Sequence, residues 1–429
     1  MKILIRNGRI IDPANQIDQS GDLQLAEGII QPLSDTFEAE QIIDARGKIV
    51  CPGLVDMRVR VREPGEKHKG TMLTESRAAA AAGVTTIAIP PDTKPVIDSS
   101  AVVELIRQKS EKAGFVEVVP LGALTKGLEG RQLSNMGALK RAGCGAVSNG
   151  PHAVSNSQVM RRALEYAATH ELTVLIHPQD PWLCDGGCAH EGVISTRLGL
   201  PGIPEAAETA GVARDLVLIR TTGVRAHFCG LSSRNALQMV EQARQEGLPV
   251  TVDVAIHHLY LTEMDIGLFN PHCHVIPPLR TERDREGLIE GLRNGSIQVL
   301  CSDHQPHDED AKAAPFAETE PGISSIETLL PLTLRLSRDY PLSLSEALAT
   351  VTHQPARILG LEVGTLGVGR RANITLFDPE AWWRVTPEQL QSAGKNSPFL
   401  NWELQGRVTH TLLDGVVVYQ HPDIFEPQE

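Results

Sequence analysis

The sequence predicts an α/β protein: a closed (β/α)8 TIM-type barrel carrying a small composite β domain built from both termini. Three observations lead there. In the middle of the chain, short β-like runs alternate with helical stretches, the rhythm of a parallel sheet. Both ends are strand-rich instead, with turn signals at Asn7-Gly8 and Asp414-Gly415. The length of 429 residues suits one barrel-sized unit plus something smaller, and polar residues collect where the middle strands end.

The elements follow in order. Residues 2–5 alternate apolar and polar, and Asn7-Gly8 reads as a hairpin turn before Ile10-Ile11. Residues 22–25 are a strand, Glu27-Gly28 a turn, Ile29-Ile30 a strand, and 42–50 a hairpin-like stretch. At the other end, 372–377 and 408–413 are strands, and Asp414-Gly415 turns the chain into 416–419. The composite β domain is therefore assigned to 1–50 plus 366–429 and the barrel to 51–365. Within the barrel, β-like runs fall at 85–89, 116–120, 174–176, 250–254 and 297–300. Helical stretches at 100–111, 156–170, 203–214, 233–246 and 281–293 separate them. The segment 304–322, rich in charge, alanine and proline, follows a predicted strand and is expected at the barrel mouth.

Composition narrows the function classes. The net charge of −13 argues against general nucleic-acid or anionic-membrane binding and reads as a solvated acidic surface. The start shows no signal-peptide pattern, and the longest apolar run, 78–89, contains Gly83 and stops at Pro90-Pro91. The expectation is a cytoplasmic protein. Seven scattered cysteines do not form a disulfide framework. Cys184, Cys188 and His190 have the makings of a zinc knuckle, but no second knuckle accompanies them. A loop with free thiols is the simpler reading.

Several motifs are similar to those of dihydroorotases, in the amidohydrolase superfamily. They are Pro52-Gly53-Leu54-Val55-Asp56, Arg62-Glu63-Pro64-Gly65, Ala82-Gly83-Val84-Thr85-Thr86 and Leu198-Gly199-Leu200-Pro201-Gly202. Pro277-Pro278-Leu279-Arg280, Ser302-Asp303-His304-Gln305-Pro306-His307, Glu327-Thr328-Leu329-Leu330-Pro331 and Gly369-Arg370-Arg371-Ala372-Asn373-Ile374 extend the resemblance over nearly the whole chain. It implies a (β/α)8 barrel with a composite β-sandwich. It also implies a one- or two-zinc site that activates water against a cyclic amide.

At the implied ligand positions this sequence departs from the family. Two metal-binding histidines, spaced i and i+2 on the first strand, correspond to Arg58 and Arg60. A guanidinium has no lone pair for a metal and stays protonated. The bridging carboxylate or carbamoylated lysine falls at Asn149-Gly150, and a further histidine at Gly230. His177 and Asp303 match their family counterparts, Asp303 at the position of the general base. His227 is not counted as a ligand. Arg62 matches the arginine that grips the substrate carboxylate, whereas its asparagine companions correspond to Asp92 and Ile276.

The resemblance is closest to inactive homologues that associate with bacterial aspartate carbamoyltransferase. It implies a non-catalytic subunit without a cofactor, partnered with that enzyme's catalytic chain in a homo- or hetero-oligomer. Arg58 and Arg60 are then expected to fill the metal cavity and pair with Asp303, or else to reach solvent at the mouth. Two other readings stand beside it. One is a cyclic-amide hydrolase with a reduced or unusual metal site, or a metal-free site using Asp303 with His304 or His307. The other is an anion sensor built on Arg58, Arg60 and Arg62. His257-His258 are expected to be packing residues.

Overall fold

The computed structural model describes residues 1–422. Residues 423–429, the end of the range assigned to the composite domain, lie outside it.

An eight-stranded sheet takes strands from both ends of the chain. Ile374–Arg384 pairs antiparallel with Ile49–Pro52, and that contact joins the termini. Outward on one side lie Glu403–Leu413 and Val416–Gln420. On the other lie Lys2–Asp12, Ile17–Ala26 and Ile29–Gln31, with Gln41–Asp44 alongside Lys2–Asp12. Ile3, Ile5, Ile43, Val50, Ile374 and Leu412 share one core beneath it. Asp414-Gly415 makes the expected tight turn, both residues having positive φ.

Asn7-Gly8 does not turn the chain. Lys2–Asp12 runs straight through it, with a register shift between Ile5 and Gly8. Asn7 takes φ 63°, and its N–H donates to the Asp22 carboxylate at 2.8 Å. The pair forms a bulge, and the reversal comes later, at Pro13–Asn15. Gly8 is required there because a Cβ would lie 2.6 Å from Val50.

Between the two ends lie short parallel strands. Leu54–Asp56, Val84–Ile89 and Glu117–Pro120 form one set. Gly122–Ala123, Ala146–Ser148, Thr173–Ile176, Ala226–Phe228, Val250–Ala255 and Val299–Cys301 form another. Backbone bonds extend the first set and join it to the end of the second. Leu121 N–H donates to Ile89 O (3.0 Å), and His304 N–H donates to Arg58 O (3.0 Å). Nearly every residue of these strands is buried, as expected when both faces are covered.

Helices Ser100–Ala113, Ser157–Thr169, Glu205–Thr222, Arg234–Gln245 and Glu282–Arg293 fall where periodicity placed them. Local chemistry sets their ends. Asn156 and Ser233 cap N-termini through their side chains, and Thr281 with Asp284 forms a capping box. Glu205–Thr222 runs eight residues past its expected end and stops at Gly223, φ 67°.

Candidate functional site

The parallel strands end at a cavity of about 250 Å³. Arg58 and Arg60 enter it side by side, because alternate residues of an extended segment point the same way. Two backbone bonds hold that segment: His304 N–H to Arg58 O, and Arg60 N–H to His304 O at 2.9 Å. Both guanidiniums are mostly buried, with side chains 12% and 15% exposed, so they do not reach out to solvent.

Their charges are met by carboxylates. Arg58 lies 3.1 Å from Asp303 Oδ1 and 3.4 Å from Asp253 Oδ1. Arg60 donates from Nε to Asp92 Oδ2 at 2.9 Å and approaches Asp303 Oδ1 at 3.6 Å. The pairing with Asp303 is thus present, and each arginine has a second partner besides. Burial alone would raise the Asp303 carboxyl, but Arg58 and Arg60 outweigh it and hold it below its ordinary value. A carboxylate so stabilised is a poor general base near neutral pH.

The backbone sets Asp303 against the two guanidiniums. Its φ is 49°, in the left-handed region. Its neighbours anchor that geometry: Ser302 is hydrogen-bonded to buried Asp56, and His304 N–H donates to Ser302 Oγ at 3.1 Å.

Gly230 explains how Arg58 fits. A Cβ there would lie 2.2 Å from Arg58 Nη1. The guanidinium therefore occupies the space that a side chain at 230 would take. Of the pair Asn149-Gly150, only Gly150 borders the cavity, beside Asp92. Asn149 turns away, accepting from Thr125 Oγ1 (2.7 Å) and donating to His152 O (2.8 Å).

His177 borders the cavity, with Nδ1 3.3 Å from Cys229 O. Burial, with Arg58 adding to it, pushes this imidazole down to about 4, so it is neutral at pH 7. Arg62 lies at the rim and is already engaged. Its Nε donates to Pro306 O (2.9 Å), Nη1 meets Glu66 (3.3 Å) and Nη2 contacts His307 Nε2 (2.9 Å). Ile276 and His307 also line the cavity. Burial, reinforced by Arg62, pushes His307 down to about 2.

His304 faces the other way. Its Nε2 meets Glu75 Oε2 at 2.8 Å, and its Nδ1 accepts from the backbone of Ser325 and Ile326. It cannot partner Asp303 in chemistry from there. His257 and His258 are buried with ring centroids 4.6 Å apart. Cys184, Cys188 and His190 go to separate partners. The thiols face Pro181 O and Pro201 O, while His190 Nδ1 contacts Arg280 Nη1 at 3.0 Å.

Sequence reasoning missed Asp253, the second counter-ion of Arg58. Its signal was an acid inside the apolar strand Val250–Ala255. With His227 and Cys229 it forms a group whose ligand atoms all lie within 4.8 Å of one another. Those atoms already have protein partners. Asp253 accepts from Gly230 N–H (2.6 Å) and lies 2.9 Å from His227 Nε2, and His227 Nδ1 lies 2.8 Å from Thr251 Oγ1. Burial holds the Cys229 thiol well above its ordinary value, disfavouring the thiolate a metal would need.

A parallel α/β scaffold with polar residues converging at its strand ends, beside a sheet from both termini, is the architecture of the hydantoinases. L-Hydantoinase (dihydropyrimidinase) from Arthrobacter aurescens superposes with a TM-score of 0.87, covering 99% of this chain and 97% of its own, at 23% identity. Dihydropyrimidinase from Brevibacillus agri superposes with a TM-score of 0.84, covering 98% and 95%, at 20% identity. The chain belongs to the dihydroorotase-like family. Residues 47–236 match the dihydro-orotase-like family, and 322–419 match an amidohydrolase family. A "Dihydroorotase-like protein" from Pseudomonas aeruginosa is 48% identical over 98% of this chain and 100% of its own. A "Dihydroorotase" from Syntrophotalea carbinolica is 43% identical over 99% and 100%. Among the described residues no helix is long and apolar enough to cross a membrane.

Proposed function

We propose that this chain is a non-catalytic member of its family: a cytoplasmic structural or assembly subunit for the catalytic chain of aspartate carbamoyltransferase in de novo pyrimidine biosynthesis. The matching reading of the fold is a (β/α)8 barrel over 51–365, with a β-sandwich from 1–50 and 366–429. One observation carries the proposal. The Arg58 guanidinium lies between Asp253 and Asp303, in space that a side chain at 230 would need.

The residues present do not fit a two-zinc cluster. His177 and Asp303 are two candidate ligands where a catalytic zinc ordinarily has three. Asp303 Oδ1 is contacted by two guanidiniums, which would repel a dication. The substrate end is altered as well. Arg60 neutralises Asp92, Ile276 offers no side-chain hydrogen bond, and Arg62 is tied to its own loops. The partner rests on the resemblance, and the P. aeruginosa relative's printed name fits the proposal.

A second reading has specific support. Relatives named "Dihydroorotase" are 43% and 41% identical, and His227, Cys229 and Asp253 stand close enough to suggest a reduced or unusual metal site. Metal analysis with a dihydroorotate turnover assay separates the two. The proposal expects substoichiometric zinc and no turnover; stoichiometric zinc with turnover establishes the hydrolase. Arg58→His with Arg60→His should not restore turnover, because Gly150 and Gly230 remain. Size-exclusion chromatography with the aspartate carbamoyltransferase catalytic chain tests the partner. Co-elution is expected, and two independent peaks at micromolar concentration would defeat it.

A further inference from the structure

A second cavity of about 540 Å³ adjoins the first, and nothing above gives it a role. His307 borders both. The second is lined by three lysines, Lys69, Lys312 and Lys395, brought together from distant segments. Their ammonium groups differ in their partners. Lys69 has a carboxylate, Glu320 Oε2, at 2.5 Å. Lys312 and Lys395 have none within 4 Å among the described residues. Lys312 donates to the backbone carbonyl of Glu320 (2.5 Å), and Lys395 to those of Leu390 (2.6 Å) and Ser392 (2.5 Å).

An ammonium carries three N–H donors. By this count two remain on Lys312 and one on Lys395. Lys312 is 7% exposed, so its charge is held away from water with no carboxylate in direct contact. Burial accordingly pushes it down to about 8, even with Glu320 nearby. The two acids lining the cavity do not make up the deficit. Asp308 accepts from Ala311 N–H and faces His68, while Glu309 is exposed.

The geometry points to this cavity as a binding site for a small, multiply charged anion of the phosphate type, with Lys312 and Lys395 as its ligands. Lysines act on phosphate as point charges, whereas planar carboxylates favour the fork of an arginine, and no arginine lines this cavity. The volume leaves room for a group attached to the anion.

The test follows thermal unfolding of the full chain with sodium pyrophosphate, against sodium chloride at matched ionic strength, with affinity measured by titration calorimetry. Pyrophosphate alone should raise the midpoint, and saturably. Lys312→Gln and Lys395→Gln should each weaken binding roughly tenfold or more. Arg60→Gln, in the neighbouring cavity, should leave it unchanged. If Lys312→Gln does not fold, Lys395→Gln carries the test, since its side chain meets only loop carbonyls. No shift beyond chloride would overturn the proposal. So would binding that survives both lysine variants, binding lost in Arg60→Gln, or tighter binding of tricarballylate than of pyrophosphate.

Discussion

Asp303 and His304 are adjacent in the chain, yet they face two different kinds of chemistry. Asp303 faces the two guanidiniums, where charges meet at 3.1 and 3.6 Å and its Oδ1 has no aligned hydrogen bond. His304 looks back into a collar of directional bonds. There Glu75 receives His304 Nε2 (2.8 Å), Ser392 Oγ (2.6 Å) and Ala393 N–H (3.1 Å). Asn396 extends the collar, donating to Gln305 O and Gly322 O and accepting from His307 N–H. The collar holds the loops that shape the mouth; the centre only has to balance its charges. The charges of the centre and the loops around it therefore rest on separate sets of contacts.

The sharpest way to break that contrast is Arg58→Ala. It leaves Asp253 and Asp303 buried without their shared counter-ion and should cost about 3–5 kcal/mol, read from the denaturant midpoint. A loss no larger than that of a surface arginine would mean that the centre is not held by charge. Gly230→Ala should cost about 1–3 kcal/mol, because its Cβ displaces a pinned guanidinium from φ 63° backbone. The two variants should be strongly non-additive in a double-mutant cycle, since Arg58→Ala removes the atom that Gly230→Ala strikes. Additive losses would separate the two sites.

Removing a collar bond should cost less. Ser392→Ala should lose about 1.5 kcal/mol, with the remaining donors still satisfying Glu75. Acid should produce the smallest difference between the regions. Burial opposes but does not overcome the guanidiniums at Asp303 or the His304 contact at Glu75, so both folded carboxyls lie below their ordinary values. Each contributes stability that is complete above the ordinary carboxylate range and lost as pH falls through the lower folded value. Stability of Arg58→Ala should therefore fall less steeply in acid than that of the parent chain. An unchanged slope would remove Asp303 from the account.

Much of the site was legible because the chemistry of single residues is unambiguous. Arg58 and Arg60 announce two fixed charges on one side of a strand, and Gly230 announces a missing side chain. The helices were legible from periodicity, and two of their starts from Asn156 and Ser233, whereas the end of Glu205–Thr222 at Gly223 was not. The Asn7-Gly8 turn misled because the same left-handed residue serves a hairpin or a bulge. Only the pairing of Lys2–Asp12 with Ile17–Ala26 selects the bulge.

By itself the sequence determined which groups carry charge and which positions lack one, since ionisation and the absence of a Cβ are properties of the residue. The tertiary structure decided who answers those charges. Asp253 lies 195 positions from Arg58, and Asp92 lies 32 from Arg60, separations across which local spacing carries no information. It also decided that the gap at Gly230 and the bulk of Arg58 are the same space, because only folding brings them together.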